Sequence, residues 1–430
     1  MIHHLSYPRH SGQSVNANIP SDFTHVSYET IDRAIAVLNQ LGRNSYMSKT
    51  DIQSAFRIVP VHPDDYPLLG FKWQGFYYYD RCLPMGAASS CQIFEAFSSA
   101  LKWATLHRSN TKHIVKILDD FLFLAPSYGD ALSALNAFRS ICSSIGVPLN
   151  ADKTFLPSQI MIFLGITLDS TTMEARLPLD KVAKATDALQ EFASRSCCTL
   201  RELLSLIGLL SFACSVIRPG RAFLRRLVDL SIGVRELHFR VRLGRGAKED
   251  ISMWLTFLHH FNGSSLFIYD KSLTSYDICL QTDASSFGYG AIFNSKWFYG
   301  PFPTKWRDVH ISFLEFYPIV AAVYTWGHLW KNHSIVFLTD NEALVSIINR
   351  QTSKLSCIMF LVRKLVLRCL HNNIEFKATH VPGKQNHLAD ALSRFQIPTF
   401  LQAAPHCDIN PTILRQDLLP ESFCRELNFS

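Results

Sequence analysis

This chain of 430 residues is predicted to be a multidomain protein of mixed class, α+β in its first part and α/β in its last. Two apolar runs, His113 to Leu118 and Phe121 to Ala125, meet with only Asp119 and Asp120 between them, the signature of a tight antiparallel hairpin. From Asp277 onward, strand-like runs (Ile278 to Thr282, Gly290 to Phe293, Ile335 to Thr339, Ile374 to His380) alternate with helical patterns. With 48% hydrophobic and 18% charged residues, the chain can bury several cores, which excludes disorder and fibrous architectures.

The elements follow in order. Apolar residues at helical spacing (Ile31, Ala34, Ile35, Leu38) predict a helix over Ser27 to Asn39; Tyr46 to Val61 reads as strand and turn, and Phe71 to Tyr79 as an aromatic strand. Helices are expected over Ser89 to Leu106 and from Tyr128 to Ile145, the second ending at Gly146, with short strands over Met161 to Leu168. Pro178 to Leu258 reads as mostly helical, and a last helix starts at His387. The expected segments are 1–170, a basic helical 171–274, an α/β 275–396 and a proline-containing tail, 397–430, acting as a linker or poorly ordered end.

The net charge of +7 is concentrated. Arg218 to Lys248 holds nine basic residues against Asp229 and Glu236, so the rest of the chain is neutral overall. Such a stretch is either a solvated helix face or a surface for polyanions, and Arg221, Arg225 and Arg226 are its candidate phosphate contacts. The eleven cysteines include no C-x-x-C pair and read as reduced core thiols, consistent with an intracellular location in cytoplasm or nucleus. No apolar run reaches the roughly 18 residues a membrane helix needs, and no secretory leader is apparent, so no membrane partner is expected.

Asp51 ends a strand-like run, and Asp119 and Asp120 occupy the hairpin turn. Aspartate is ordinary turn chemistry, so the pair alone requires no function. The flanking runs are buried-strand material, however, and a neighbouring strand can bring Asp51 to the same sheet end. Carboxylates gathered there repel one another unless a cation lies among them. An all-oxygen set suits Mg²⁺, which activates a nucleophile and stabilises a leaving oxygen in phosphoryl or nucleotidyl transfer.

These stretches resemble reverse transcriptases. SKTDIQSAF (Ser48 to Phe56) is similar to their first catalytic motif, LPMG (Leu83 to Gly86) to the template-positioning motif, and ILDD (Ile117 to Asp120) to the paired-aspartate motif. Gly146 to Lys153 resembles the motif with a basic residue near the incoming triphosphate, and FLG (Phe163 to Gly165) the primer grip. The wording is most similar to retrotransposons of the DIRS type, in which IHHLSYP (Ile2 to Pro8) opens the domain and PGRAF (Pro219 to Phe223) occurs in the thumb or connection. The resemblance implies a right-hand polymerase with fingers and palm in 1–170 and thumb or connection in 171–274. It also implies two Mg²⁺ ions on Asp51 and Asp119 with Asp120 in support, Phe56 excluding a ribose 2′-hydroxyl, Met85 and Gly86 positioning template and nucleotide, and Lys153 facing the triphosphate. Ile117 replaces the usual aromatic residue and Met85 a common glutamine. Because the chain begins inside the first fingers motif, more fingers are expected upstream, with weakened polymerase activity here.

A second set of acids lies at element ends: Asp283 after Ile278 to Thr282, Glu315 in an S-x-x-E capping-box spacing with Ser312, Asp340 after Ile335 to Thr339, and Asp390 in a helix start capped by Asn386. Each has a structural explanation singly. Together TDAS (Thr282 to Ser285), Glu315, TDN (Thr339 to Asn341) and HLADALSR (His387 to Arg394) resemble ribonuclease H. That resemblance implies an α/β domain whose Asp283, Glu315, Asp340 and Asp390 hold two Mg²⁺ ions, with His380 assisting proton transfer or product release. The expected activity is RNA-directed DNA synthesis with ribonuclease H cleavage, using Mg²⁺ or Mn²⁺. RNA template, DNA primer, RNA:DNA hybrid and deoxynucleoside triphosphates are the expected partners. The alternatives are a degenerate or domesticated nucleic-acid-binding copy, or a gypsy-class or pararetroviral polyprotein fragment.

Overall fold

Covered apolar strands organise both parts of the chain. The computed structural model describes residues 4–8, 14–260, 265–266, 272–274, 277–278, 280–331, 333–372, 374–381 and 386–427. Ile2 and His3 of the opening motif, and residues 382–385, lie outside them. The chain forms two units, Met1–Pro178 with Gly263–Phe267, and Leu179–Asn262 with Ile268–Ser430.

In the first unit, helix α1 (Ile31–Leu41) precedes β1 (Tyr46–Asp51) and the hairpin of β2 (Gly70–Trp73) and β3 (Phe76–Tyr79). Helix α2 (Ser90–Arg108), β4 (His113–Ile117), β5 (Asp120–Ala125), α3 (Tyr128–Ser144) and β6 (Phe155–Ser158) complete the central layer. Its antiparallel sheet runs β4-β5-β1-β6. Phe121 to Ala125 are all buried, because α1 and α3 both pack on this sheet. Phe138 of α3 lies 4.5 Å from Phe121 and 5.4 Å from Phe123, ring centroid to ring centroid. Ser127 caps α3 by accepting from the Asp130 N–H, and Gly146 follows the helix at φ +74°, the predicted stop. A second sheet holds β7 (Ile160–Phe163), β8 (Ile166–Asp169) and β9 (Glu174–Arg176). Leu164 and Gly165, both at positive φ, form its tight two-residue turn.

The second unit opens with helix α4 (Leu179–Ser194), β10 (Cys197–Thr199), α5 (Leu200–Ala213), the short α6 (Arg225–Asp229), β11 (Arg240–Arg242) and α7 (Arg245–His260). A full capping box starts α5, with Thr199 and Glu202 exchanging hydrogen bonds. After α7, β12 (Ser265–Leu266) belongs to the first unit, where it pairs with β9. The α/β part then contains β13 (Ser272–Thr274), β14 (Leu280–Ala284), β15 (Gly288–Phe293), β16 (Lys296–Pro301), α8 (Ile311–Trp326), β17 (Ser334–Thr339), α9 (Glu342–Arg350), α10 (Ser356–His371), β18 (Glu375–His380) and α11 (His387–Ser393). Strands β14-β15-β16 are antiparallel, whereas β13-β17-β18 are parallel. A Cβ at Gly290 would lie 2.4 Å from Leu392 Cβ, so only glycine lets α11 approach β15 this closely.

The tail differs from its expectation as a linker. Helix α12 (Ile397–Ala403) buries Phe400 against Trp297 at 5.0 Å, and α13 (Pro420–Leu427) sets Phe423 5.4 Å from Tyr317. Trp297 Nε1 donates to the Asp408 carbonyl at 2.7 Å, and Tyr317 Oη to that of Leu418 at 2.5 Å. Isolated apolar anchors hold this segment, and their spacing has no period to reveal them. No described helix is long and apolar enough to cross a membrane. Nine cysteines are free among the described residues, four of them buried.

Truncating Phe400 to alanine should cost about 3–5 kcal/mol in denaturant unfolding; a loosely attached tail would leave stability unchanged.

Candidate active sites

The antiparallel register of β1 and β5 places Asp51 directly opposite Asp120. The turn linking β4 to β5 is Leu118-Asp119, one residue earlier than the sequence pattern implies, since Ile117 already pairs with Asp120. Leu118 adopts φ +50°, an unusual conformation for a bulky side chain and one that functional sites retain. The turn is pinned from outside. The Leu118 N–H donates to Glu95 Oε2 at 3.0 Å, while Lys116 Nζ donates to Glu95 Oε1 at 2.6 Å. On the other side, the Ile52 N–H donates to the Asp119 carbonyl at 3.0 Å.

Three carboxylates therefore converge at one sheet end. Burial pushes Asp119 and Asp120 above the usual carboxylate range, and the charge of Asp51 adds to both. Lys153 meets them: its Nζ lies 2.8 Å from Asp51 Oδ2, a hydrogen bond that raises the lysine's own proton affinity. Two backbone bonds bring it there, Gln53 N–H to the Pro148 carbonyl and Asn150 N–H to the Asp51 carbonyl, both at 2.9 Å. Lys49, in contrast, is lowered chiefly by burial and donates to the Ile162 carbonyl at 2.8 Å.

Phe56 is half-buried in a 3₁₀ turn, edge-on to Phe94 at 5.4 Å. Met85 is 38% exposed, and Gly86 sits at φ +118°. A residue absent from the sequence reading holds this bend: Asn16 Nδ2 donates to the Gly86 carbonyl, and Asn16 Oδ1 accepts from the Ala88 N–H, both at 2.9 Å. No local pattern marks that asparagine.

The second set of acids lies in the other unit. Asp283 pairs across strands with Gly290, the position where α11 makes its close approach. Ser393 Oγ of α11 donates to Asp283 Oδ2 at 2.6 Å, and Arg394 Nε to Asp390 Oδ1 at 2.7 Å. Asn386 does not cap α11 as expected; its Nδ2 donates to the Thr282 carbonyl at 2.8 Å, tying the helix start to β14. The capping box at Glu315 does not form either. Helix α8 begins one residue before Ser312, and the His310 ring accepts the Ser312 N–H at 3.2 Å. Glu315 is thus released from a cap role and turned toward the other acids. Burial, with Asp340 and Asp283 adding, pushes its carboxyl up to about 7, and its Oε2 is buried without a hydrogen-bond partner among the described residues. Asp283 is raised as well, by burial and then by Asp390 and Asp340, despite Ser393 pulling the other way. Asp340 directly follows β17 and is exposed, and His380, exposed at the end of β18, is the in-register neighbour of Thr339.

Among the described residues no three acids, histidines or cysteines form a ready-made metal cage. The donor set nevertheless fits Mg²⁺. It is all carboxylate oxygen, Glu315 Oε2 lacks a partner, and magnesium keeps waters and substrate oxygens alongside one or two carboxylates.

The basic segment divides. Arg225 pairs with Asp229, and Arg226 Nη1 contacts Asp250 Oδ1 and the Gly246 carbonyl, both at 3.0 Å. These two arginines are thus ion-paired within the fold, whereas Arg221, Arg235, Arg240 and Arg242 are exposed. Sequence alone registers charge but not which neighbours neutralise it.

Residues 4–168 match the family model described as reverse transcriptase (RNA-dependent DNA polymerase). The chain is 22% identical over 375 residues, 83% of its length, to polyprotein P3 of Commelina yellow mottle virus, spanning 18% of that protein. It is 26% identical over 177 residues, 41% of its length, to the Pro-Pol polyprotein of feline foamy virus, spanning 14% of it. Among solved structures, a foamy viral protease-reverse transcriptase in complex with RNA/DNA hybrid aligns with a TM-score of 0.51 at 17% identity, over 86% of this chain and 48% of that one. Residues 4–168 are thus similar to a reverse transcriptase domain, the chain is similar to viral polyproteins, and it has the polymerase fold with a ribonuclease H-like part.

Glu315 has a higher proton affinity folded than unfolded, so its stabilising contribution is complete below pH 4.5 and lost as pH rises through about 7. In metal-free protein, Glu315→Gln should therefore raise stability at alkaline pH by about 2 kcal/mol and leave it unchanged in acid. Urea unfolding across pH reads this; equal stability of both proteins at alkaline pH would contradict it.

Proposed function

We propose that this chain is the reverse transcriptase and ribonuclease H portion of a retroelement polyprotein. It copies RNA into DNA from deoxynucleoside triphosphates and cuts the RNA strand of the resulting hybrid. The observation that carries the reading is the register setting Asp51 against Asp120 with Asp119 in the adjoining turn, matched by the second convergence of Asp283, Glu315, Asp340 and Asp390.

In the polymerase site, Asp51 and Asp119 are the residues to hold Mg²⁺, or Mn²⁺ in its place, with Asp120 completing the negative cluster. Bound metal supplies activation of the attacking oxygen and stabilisation of the leaving one. Lys153, on the surface of this cluster, is placed to meet triphosphate charge once its bond to Asp51 is exchanged for one to the substrate. Phe56, braced by Phe94, presents a rigid ring to select against a 2′-hydroxyl. Met85 and Gly86, held by Asn16, position template and nucleotide. In the nuclease site, Ser393 and Arg394 orient Asp283 and Asp390, and His380 moves a proton or assists release.

The finer assignment is a DIRS-like element, with fingers and palm in 1–170, thumb or connection in 171–274 and ribonuclease H in 275–396. A pararetroviral polyprotein is the second reading, favoured by the viral relatives. A tyrosine recombinase reading frame downstream of the gene separates the two.

Primer extension and cleavage of a labelled RNA:DNA hybrid, run on the same preparation, test the proposal. Asp119→Asn should lower extension at least about 100-fold and spare cleavage, and Asp340→Asn should do the reverse. Cleavage indifferent to Asp340→Asn would refute the nuclease assignment, and hybrid binding with no turnover would identify a degenerate copy.

A further inference from the structure

Where α6 meets the start of α10, a cavity of about 280 Å³ is lined by Arg225, Arg226, Lys354, Arg363, Ser353 and Ser356, with Asp229 at its wall. Its charge is unbalanced. Asp229 pairs with Arg225, and the buried Asp250 lies between Arg226, 3.0 Å away, and Arg363, 3.3 Å away. Glu249 reaches Arg226 only at 3.4 Å from a half-exposed position. Four cations thus face three carboxylates, and Lys354, on an exposed loop, has no described ion-pair partner.

Two further features point the same way. The Nε groups of Arg225 and Arg363 are both buried without a hydrogen-bond acceptor among the described residues, and a buried donor left unpaired is destabilising. Helix α10, 16 residues long, has no side-chain cap and no acid in its first turn, so its leading N–H groups and dipole add positive potential. A tetrahedral oxyanion answers all of these at once, accepting from guanidiniums, ammonium, serine hydroxyls and helix N–H groups.

We infer that this cavity is a phosphate-binding pocket that anchors one backbone phosphodiester of the bound nucleic acid. The nucleic-acid source follows from position and rests on the proposed function. Helix α9 alone, nine residues long, separates Asp340 from the loop carrying Ser353 and Lys354. At 1.5 Å per residue it spans about 13 Å, the axial length of about four nucleotides of one strand. The anchor would hold a strand in register while it lies across the nuclease carboxylates.

The test uses the full chain and a fluorescent RNA:DNA hybrid, with anisotropy read over a salt series. Lys354→Glu is the variant and Lys296→Glu, at the exposed start of β16, the charge-matched control. Lys354→Glu should weaken hybrid binding about 5- to 10-fold at physiological salt and lower the salt slope by about one, with an unchanged unfolding midpoint. The control should change neither by more than net charge requires. Wild-type affinity in Lys354→Glu overturns the inference. If millimolar inorganic phosphate then raises the unfolding midpoint of the wild type but not of Lys354→Glu, the pocket belongs to free phosphate instead. No phosphate effect reduces it to a structural ion-pair network. Should the protein bind hybrid without extending or cutting it, the proposed function fails while the Lys354 comparison is still read on binding.

Discussion

The antiparallel register that sets Asp51 of β1 against Asp120 of β5 is the constraint on which the first unit depends. A slip of β5 by one residue would turn Asp120 to the face opposite Asp51 and flip the buried Phe121 and Phe123 out of their packing as well. The core therefore protects the site: the packing of Phe138 against those two rings fixes the register that brings like charges together. Mutual repulsion is offset locally by Lys153 and mechanically by Glu95, which holds the turn from behind.

The second unit solves the same problem with different parts. Here the close approach of α11 to β15 at Gly290 brings Asp390 toward Asp283, and the hydroxyl of Ser393 stabilises the resulting pair. Glu315 reaches the cluster from a helix whose start is capped by His310; Asn341 hydrogen-bonds its carboxylate, while Oε2 is left without a partner among the described residues. Asp119 and Asp120 in the first unit, and Asp283 and Glu315 in the second, have raised proton affinities because they are partly buried near other carboxylates, an arrangement that lowers the stability of the bare protein and favours a bound cation.

Much of this was legible in the sequence because it follows from periodicity. The apolar runs around Asp119 and Asp120 fixed a hairpin, and strand–helix alternation after Asp277 fixed the α/β part. Features set by tertiary contact were not legible. The hairpin turn sits one residue earlier than the pattern because Ile117 pairs with Asp120; the spacing of Ser312 and Glu315 imitates a cap that His310 supplies; Asn386 ties helix to strand rather than capping. The tail reads as a linker because Phe400, Leu418 and Phe423 are scattered, yet each is buried. Arg225 and Arg226 register as free charge in a sequence and as paired charge in the fold, since Asp250 lies 24 residues beyond its partner Arg226.

We propose that two separate carboxylate clusters each hold divalent cations. Manganese binding followed by electron paramagnetic resonance tests it most directly, in wild type, Asp51→Asn and Asp283→Asn with RNA:DNA hybrid present. The account predicts two separable sets of bound ions, each variant losing one set and keeping the other. A single set lost in both variants, or binding unaffected by either, would contradict it.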